Sequence, residues 1–122
     1  MIGYVTLGTN DLARAQAFYD ALFSMIGATR QWESERSTGW GTSAQAPALA
    51  VIKPFDGEPA TVGNGVMVAL VMARREAVDA FYAKAIELGA QDEGKPGPRG
   101  TGGYYGAYFR DPDGNKIAAY HD

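Results

Sequence analysis

Apolar and polar positions along the chain fall into two matching series. Residues 2–8 form a β-branched, apolar run that reads as a strand. Leu12, Ala15, Phe18, Tyr19, Leu22, Met25 and Ile26 then recur at helical spacing. Asn10 or Asp11 caps the start of that helix, and Gly27 ends it. Three strand candidates follow at 28–33, 39–43 and 48–53, separated by Ser37-Thr38-Gly39 and Gln45-Ala46-Pro47. The second half repeats the order. Residues 65–72 read as an apolar strand, and 76–88 as a helix with Ala77, Phe81, Ala85 and Leu88 inward. After Gly89 come a short strand at 90–93 and a Gly/Pro loop at 95–103. Two last strands at 104–110 and 115–120 are joined by Asp111-Pro112-Asp113-Gly114.

The repetition reaches residue identity. Ala17-Phe18-Tyr19 returns as Ala80-Phe81-Tyr82, 63 residues on, and Ile26-Gly27-Ala28 returns as Leu88-Gly89-Ala90, 62 residues on. Each half therefore reads β-α-β-β-β, over about residues 1–54 and 64–122. Neither half is long enough to bury a sheet face alone, so residues 54–64 are read as a connector inside one domain spanning 1–122. The expected class is α+β: two tandem βαβββ units forming a curved mixed sheet around a cleft, with helices on the outer face.

Composition then removes several classes. There is no cysteine, which excludes disulfides, thiolate metal sites and a cysteine nucleophile and fits a cytoplasmic setting. The N-terminal stretch lacks the basic and apolar regions of a signal peptide, and no apolar run is long enough for a membrane span. A net charge of -3 without a basic patch argues against nucleic acid as a partner. The single histidine, His121, is penultimate and reads as a solvated terminus, so a Ser-His or Cys-His device has no base.

The doubled β-α-β-β-β order carries a resemblance when taken with four short motifs. These are Asp11-Leu12 and Phe18-Tyr19 in the first helix, Leu88-Gly89-Ala90 after the second, and Asp111-Pro112-Asp113-Gly114-Asn115 before the last strand. Together they resemble the vicinal oxygen chelate superfamily, the group of glyoxalases, bleomycin resistance proteins and extradiol dioxygenases. The resemblance covers essentially the whole chain. It implies one divalent ion held by His or Glu side chains from the first and last strands of each unit, with open positions for substrate oxygens.

The positions that resemblance assigns to ligands carry other residues. They are Tyr4, Ala48 or Ala50, Met67, and Ala118, which stands where Asn115-Lys116-Ile117 would be followed by a carboxylate. The 63-residue offset maps Tyr4 onto Met67. A thioether is soft and a neutral phenol binds weakly, so no metal and no other cofactor is expected. Glu33 and Glu35 read as a solvent-facing strand edge.

Aromatic side chains are the remaining candidates. Tyr4, Trp32, Trp40, Tyr104, Tyr108 and Tyr120, with Ala50, Met67 and Ala118, form the expected ligand pocket. Strand parity there is uncertain by one residue, and a slip by one changes the face. Arg30 and Arg99 are cationic candidates at the cleft mouth, and the loop at 97–103 is read as a mobile flap over it.

The leading expectation is a metal-independent protein that sequesters or senses a small aromatic or amphipathic ligand, as the bleomycin-resistance branch does. The rivals are a glyoxalase-like lyase or isomerase, or a dioxygenase, with a non-standard metal site. A third reading is an interaction protein whose cleft is packed shut by Tyr4 and Met67. Homodimer formation is implied by the resemblance alone.

Overall fold

The computed structural model describes residues 1–122 and divides them into two compact units, Met1–Val62 and Gly63–Asp122. Unit 1 runs β1 (Tyr4–Gly8), α1 (Leu12–Phe23), a 3₁₀ turn (Ser24–Ile26), β2 (Thr29–Glu33), β3 (Ser37–Gly41) and β4 (Ala48–Ile52). Its four strands are ordered β1-β4-β3-β2, with β1 parallel to β4 and the other pairs antiparallel. Unit 2 runs β5 (Val68–Val71), α2 (Arg75–Glu87), β6 (Gln91–Pro98), β7 (Tyr105–Arg110) and β8 (Lys116–His121). Its order, β5-β8-β7-β6, is the same arrangement, with β5 parallel to β8. No helix is long and apolar enough to cross a membrane.

Local chemistry explains the element ends. Asp11 is the N-cap of α1: its Oδ1 accepts from the Arg14 amide at 3.0 Å, and its own amide donates to Thr9 Oγ1 at 3.0 Å. Asn10 instead ties down the connector. It donates to the Ala60 carbonyl at 3.1 Å and accepts from the Ala60 amide at 2.7 Å. Gly27 closes the first helical segment at φ 71°, a left-handed conformation that glycine takes without strain. The turn before β8 is built on Asp111, whose Oδ1 accepts from the amides of Asp113 and Asn115, both at 2.9 Å. Asn115 Nδ2 donates to its other oxygen at 3.0 Å, which satisfies a carboxylate that is only 4% exposed.

Each helix covers one face of its own sheet. In unit 1 the buried side chains of α1 are Ala15, Phe18, Tyr19, Leu22 and Phe23, and Leu7, Trp40, Leu49 and Val51 are buried in the strands. Complete burial of a side chain such as Leu22 contributes about 1.5–3 kcal/mol. Trp40 belongs to this core and not to a ligand pocket. Its ring lies 5.4 Å from Tyr19 and 6.1 Å from Phe23, and its Nε1 donates to Asp20 Oδ1 at 2.8 Å. In unit 2, Val78, Phe81 and Ala85 of α2 are buried, with Phe81 6.2 Å from Phe109 of β7.

Three further expectations change. The segment at 95–98 is strand and not loop: β6 continues through Lys95-Pro96-Gly97-Pro98, with register shifts on either side of Gly94. The expected flap is thereby reduced to the short turn between β6 and β7. Arg30 does not face a cleft, because its guanidinium binds both oxygens of Asp20 at 3.0 and 2.7 Å and Glu33 at 2.6 Å. Glu33, expected on a solvent-facing strand edge, lies on the outer strand β2 with its side chain 62% exposed, and there it pairs with Arg30. His121 is not a free terminus. It pairs with Tyr105 in the ladder, and its Nδ1 lies 3.1 Å from the Met72 carbonyl oxygen.

Candidate functional site

The candidate chemistry sits on the sheet face of each unit that points away from its helix, here called the far face. In unit 1 the parallel register pairs Tyr4 with Ala48, Thr6 with Ala50 and Gly8 with Ile52. Side chains alternate along a strand, so these six positions share the far face, while Leu7, Leu49 and Val51 turn to α1. Trp32 joins them from β2. A Cβ built on Gly39 would meet three atoms of its indole within 2.6 Å, so only a glycine at 39 lets the ring lie there. Trp32 Nε1 donates to Ser37 Oγ at 3.3 Å, and Tyr4 meets the indole edge-on with ring centroids 5.4 Å apart.

Two cavities flank this pair of rings. One, of about 270 Å³, is lined by Tyr4, Thr6, Trp32, Ser37, Ala50 and Ile52. The other, of about 290 Å³, shares Tyr4 and Trp32 and is completed by Gly3, Gln31, Ser43, Ala44, Ala46 and Ala48. No charged side chain lines either one. A third cavity is larger, about 330 Å³, and lies under the connector between Arg36, Lys53 and Glu58. It has no aromatic lining and is bordered by charged side chains, so the aromatic pair is the better candidate for a small organic molecule.

The far face of unit 2 uses the same parity. Ala69 pairs with Ala118 and Val71 with Tyr120 in the parallel ladder, and Tyr108 with Ala118 and Gly106 with Tyr120 in the antiparallel one. Tyr104 and Tyr120 stack at 5.1 Å with planes 7° apart. Tyr104 lies over Gly106, where a Cβ would come within 2.7 Å of the ring, and Tyr108 lies over Gly94 at the same distance. Arg99 and Lys116 both rest on the Tyr108 ring, 5.3 and 5.5 Å from its centroid. Burial, a hydrogen bond with Tyr108 and the neighbouring tyrosines push the Tyr104 hydroxyl up to about 12, although Arg99 acts in the opposite direction. Tyr104 is therefore a neutral hydrogen-bonding group at ordinary pH and not a base.

The structure thus gathers Tyr4, Trp32 and Ala50 in unit 1, and Tyr104, Tyr108, Ala118 and Tyr120 in unit 2. Trp40 is excluded, and Met67 lies one residue before β5, 41% exposed. Ala50 and Ala118 are completely covered, so they set the depth of the floor and offer no contact area. Sequence reasoning missed Thr6, Ser37, Gly39 and Lys116. Thr6 and Lys116 were reachable, because each stands two residues from a named far-face position and must share its face.

A metal centre does not fit this donor set. No group of three or more His, Cys, Asp or Glu side chains comes together anywhere in the chain. The positions that the resemblance assigns to ligands hold a phenol, a thioether and methyl groups, none of which binds a borderline divalent ion well.

Comparison with known proteins agrees with the fold. The family model of the glyoxalase/bleomycin resistance protein/dioxygenase superfamily matches residues 1–119, and the chain belongs to that superfamily. A crystal structure of a glyoxalase/bleomycin resistance protein from Albidiferax ferrireducens T118 is 36% identical, with a TM-score of 0.90 over 100% of this chain and 98% of that one. Two more distant structures share the fold. A lactoylglutathione lyase from Agrobacterium tumefaciens is 21% identical, with a TM-score of 0.73 over 99% of this chain and 92% of that one. A fosfomycin resistance protein from Listeria monocytogenes is 18% identical, with a TM-score of 0.74 over 100% and 93%. No curated protein matches the chain.

Proposed function

We propose that this member of the superfamily binds a small planar aromatic or amphipathic molecule without a metal ion, and acts by sequestering or sensing it. The observation that carries this reading is the far face of unit 1. Tyr4 and Trp32 border two uncharged cavities of about 270 and 290 Å³, a size suited to small organic ligands. Ser37 and Thr6 supply hydroxyls in the first, and Gln31 an amide oxygen in the second, its nitrogen being held by Thr29 and Gly41, so an amphipathic molecule would find a partner for one polar edge. The donor chemistry at Tyr4, Ala48, Ala50, Met67 and Ala118 supports the metal-independent part. The same reading places the protein in the cytoplasm, on its lack of cysteine, and pairs it as a homodimer, on family likeness.

Elemental analysis of protein purified without chelator tests the metal clause. Less than a tenth of an equivalent of any transition metal is expected, and near-stoichiometric Ni, Zn, Fe or Mn would sink it in favour of a lyase, isomerase or dioxygenase. A thermal-shift screen of planar aromatic compounds tests the binding clause. At a ligand concentration one hundred times Kd the stabilisation is about 2.7 kcal/mol, enough for a clear rise in Tm. A flat response across the screen would favour a purely structural role. Light scattering on the eluted peak checks the dimer, which fails if the mass is that of one chain.

A further inference from the structure

Extending that reading to the second copy, we infer that unit 2 carries an anion-binding site of its own, in which Arg99 and Lys116 attract the carboxylate or similar anionic group of an aromatic molecule. Both cations rest on one ring, that of Tyr108, and both are half-buried. Two like charges gathered about one half-buried ring repel, and the repulsion grows as water is removed. Neither makes an ion pair at bonding distance. Glu93, which feels the Lys116 charge, is already held by Arg110 at 2.7 Å. In a chain of net charge -3, two cations without an ion-pair partner around one aromatic ring form a local exception.

The Arg99 side chain is set in place rather than free. Two of its nitrogens donate to the carbonyls of Lys95 at 2.6 Å and Pro98 at 3.2 Å. The rest of its five N–H donors remain available. Gly94 and Gly97 of β6 make room for it: a Cβ at 97 would lie 3.1 Å, and one at 94 would lie 3.4 Å, from its terminal nitrogens. A guanidinium fixed before binding loses less entropy when it grips a carboxylate. The stacked Tyr104 and Tyr120 lie on the same face, next to Tyr108. Together they offer a flat apolar surface beside a positive one. The ligand class that fits both is an aromatic carboxylate.

Calorimetric titration of the full chain with 2-naphthoate and with 2-naphthamide, its neutral isostere, separates the two clauses. We expect 2-naphthoate to bind about tenfold tighter or better, in the range of a charge-assisted hydrogen bond. That advantage should shrink with added salt. Lys116→Gln and Arg99→Gln should each weaken 2-naphthoate while leaving 2-naphthamide within about twofold, and Arg99→Lys should keep part of the preference. Lys84→Gln, on the outer side of α2, should change neither. Equal binding of the two probes overturns the anion subsite and leaves the planar-ligand reading intact. A preference for 2-naphthoate that survives both Gln variants also overturns it. Binding of neither probe removes both readings. Acetate competing as well as 2-naphthoate supports the subsite and removes the planar clause. If Arg99→Gln fails to fold by circular dichroism, Lys116→Gln decides alone.

Discussion

On the far face of unit 1 the ring of Trp32 lies over Gly39, and on that of unit 2 the rings of Tyr104 and Tyr108 lie over Gly106 and Gly94. Both units thus make a flat floor in the same way, by laying a large ring across a strand position that has no side chain. They differ in what surrounds the rings. Unit 1 offers neutral hydroxyls from Ser37 and Thr6, whereas unit 2 offers Arg99 and Lys116. Duplication preserved a backbone and its strand parity while the chemistry on that backbone diverged. The ring-on-glycine contact is a property of the sheet, and the charge is a property of one copy only.

The largest expected effect lies behind the floor of unit 1. Trp40→Ala should cost about 3–5 kcal/mol in urea unfolding, because it removes a fully buried ring packed on Tyr19 and Phe23. A loss below about 1 kcal/mol would mean that Trp40 is not a core residue. Next comes the floor itself. Gly39→Ala should cost about 1–3 kcal/mol through overpacking against three indole atoms. Gly94→Ala should cost less, because its Cβ comes that close to only one atom of the half-buried Tyr108 ring. Equal losses at both sites would erase the distinction between the two floors.

Smaller effects concern charge. The Arg30 hydrogen bond, helped by Trp40, holds the Asp20 carboxyl below its ordinary range, although burial opposes it. A lowered folded-state value means that the contribution is present above the ordinary carboxylate range and is lost as pH falls through the lowered value. Asp20 and Arg30 side chains are 44% and 34% exposed, so solvent screening keeps the pair to about 1 kcal/mol or less. Asp20→Asn should therefore trail the wild type near neutral pH, with the gap closing as the pH falls into the acid range. A constant gap across pH would show that the loss is steric. The last effect is confined to alkaline pH and belongs to Tyr104. Its hydroxyl is raised from 10.0 to about 12, so stability should be complete below the ordinary value and fall as pH rises toward the higher one. Ultraviolet titration should show a late-ionising tyrosine that disappears in Tyr104→Phe.

Much of the architecture was legible because the chain says it twice. The offset linking Tyr4 to Met67 also carries Thr6 onto Ala69, and these two face Ala50 and Ala118 in equivalent parallel ladders. That Trp32 and Trp40 occupy opposite sides of the sheet was not legible. β2 shifts register between Arg30 and Trp32, so parity counted along the sequence slips there, and Arg30 and Trp40 pair on the helix side while Trp32 does not. The Lys95–Pro98 stretch misled for another reason. Its prolines and glycines are turn residues by composition, yet β6 is the outer strand of its sheet, where a missing N–H costs nothing if it faces outward. Arg99 could be named from the sequence, but Tyr108 as its seat could not, since that contact depends on the two register shifts around Gly94.

The chain holds two tryptophans, and the fold has assigned them opposite environments. One is enclosed, 1% exposed, with its N–H committed to a carboxylate. The other borders both uncharged cavities, with its N–H on a serine hydroxyl. The protein therefore contains a built-in pair of fluorophores. Trp40 emits as an internal reference that reports global unfolding, and Trp32 emits as a probe of whatever enters beside Tyr4. Acrylamide should quench Trp32 alone in the native state, and an occupant of the cavity should protect it, so occupancy and folding can be followed at once without a label.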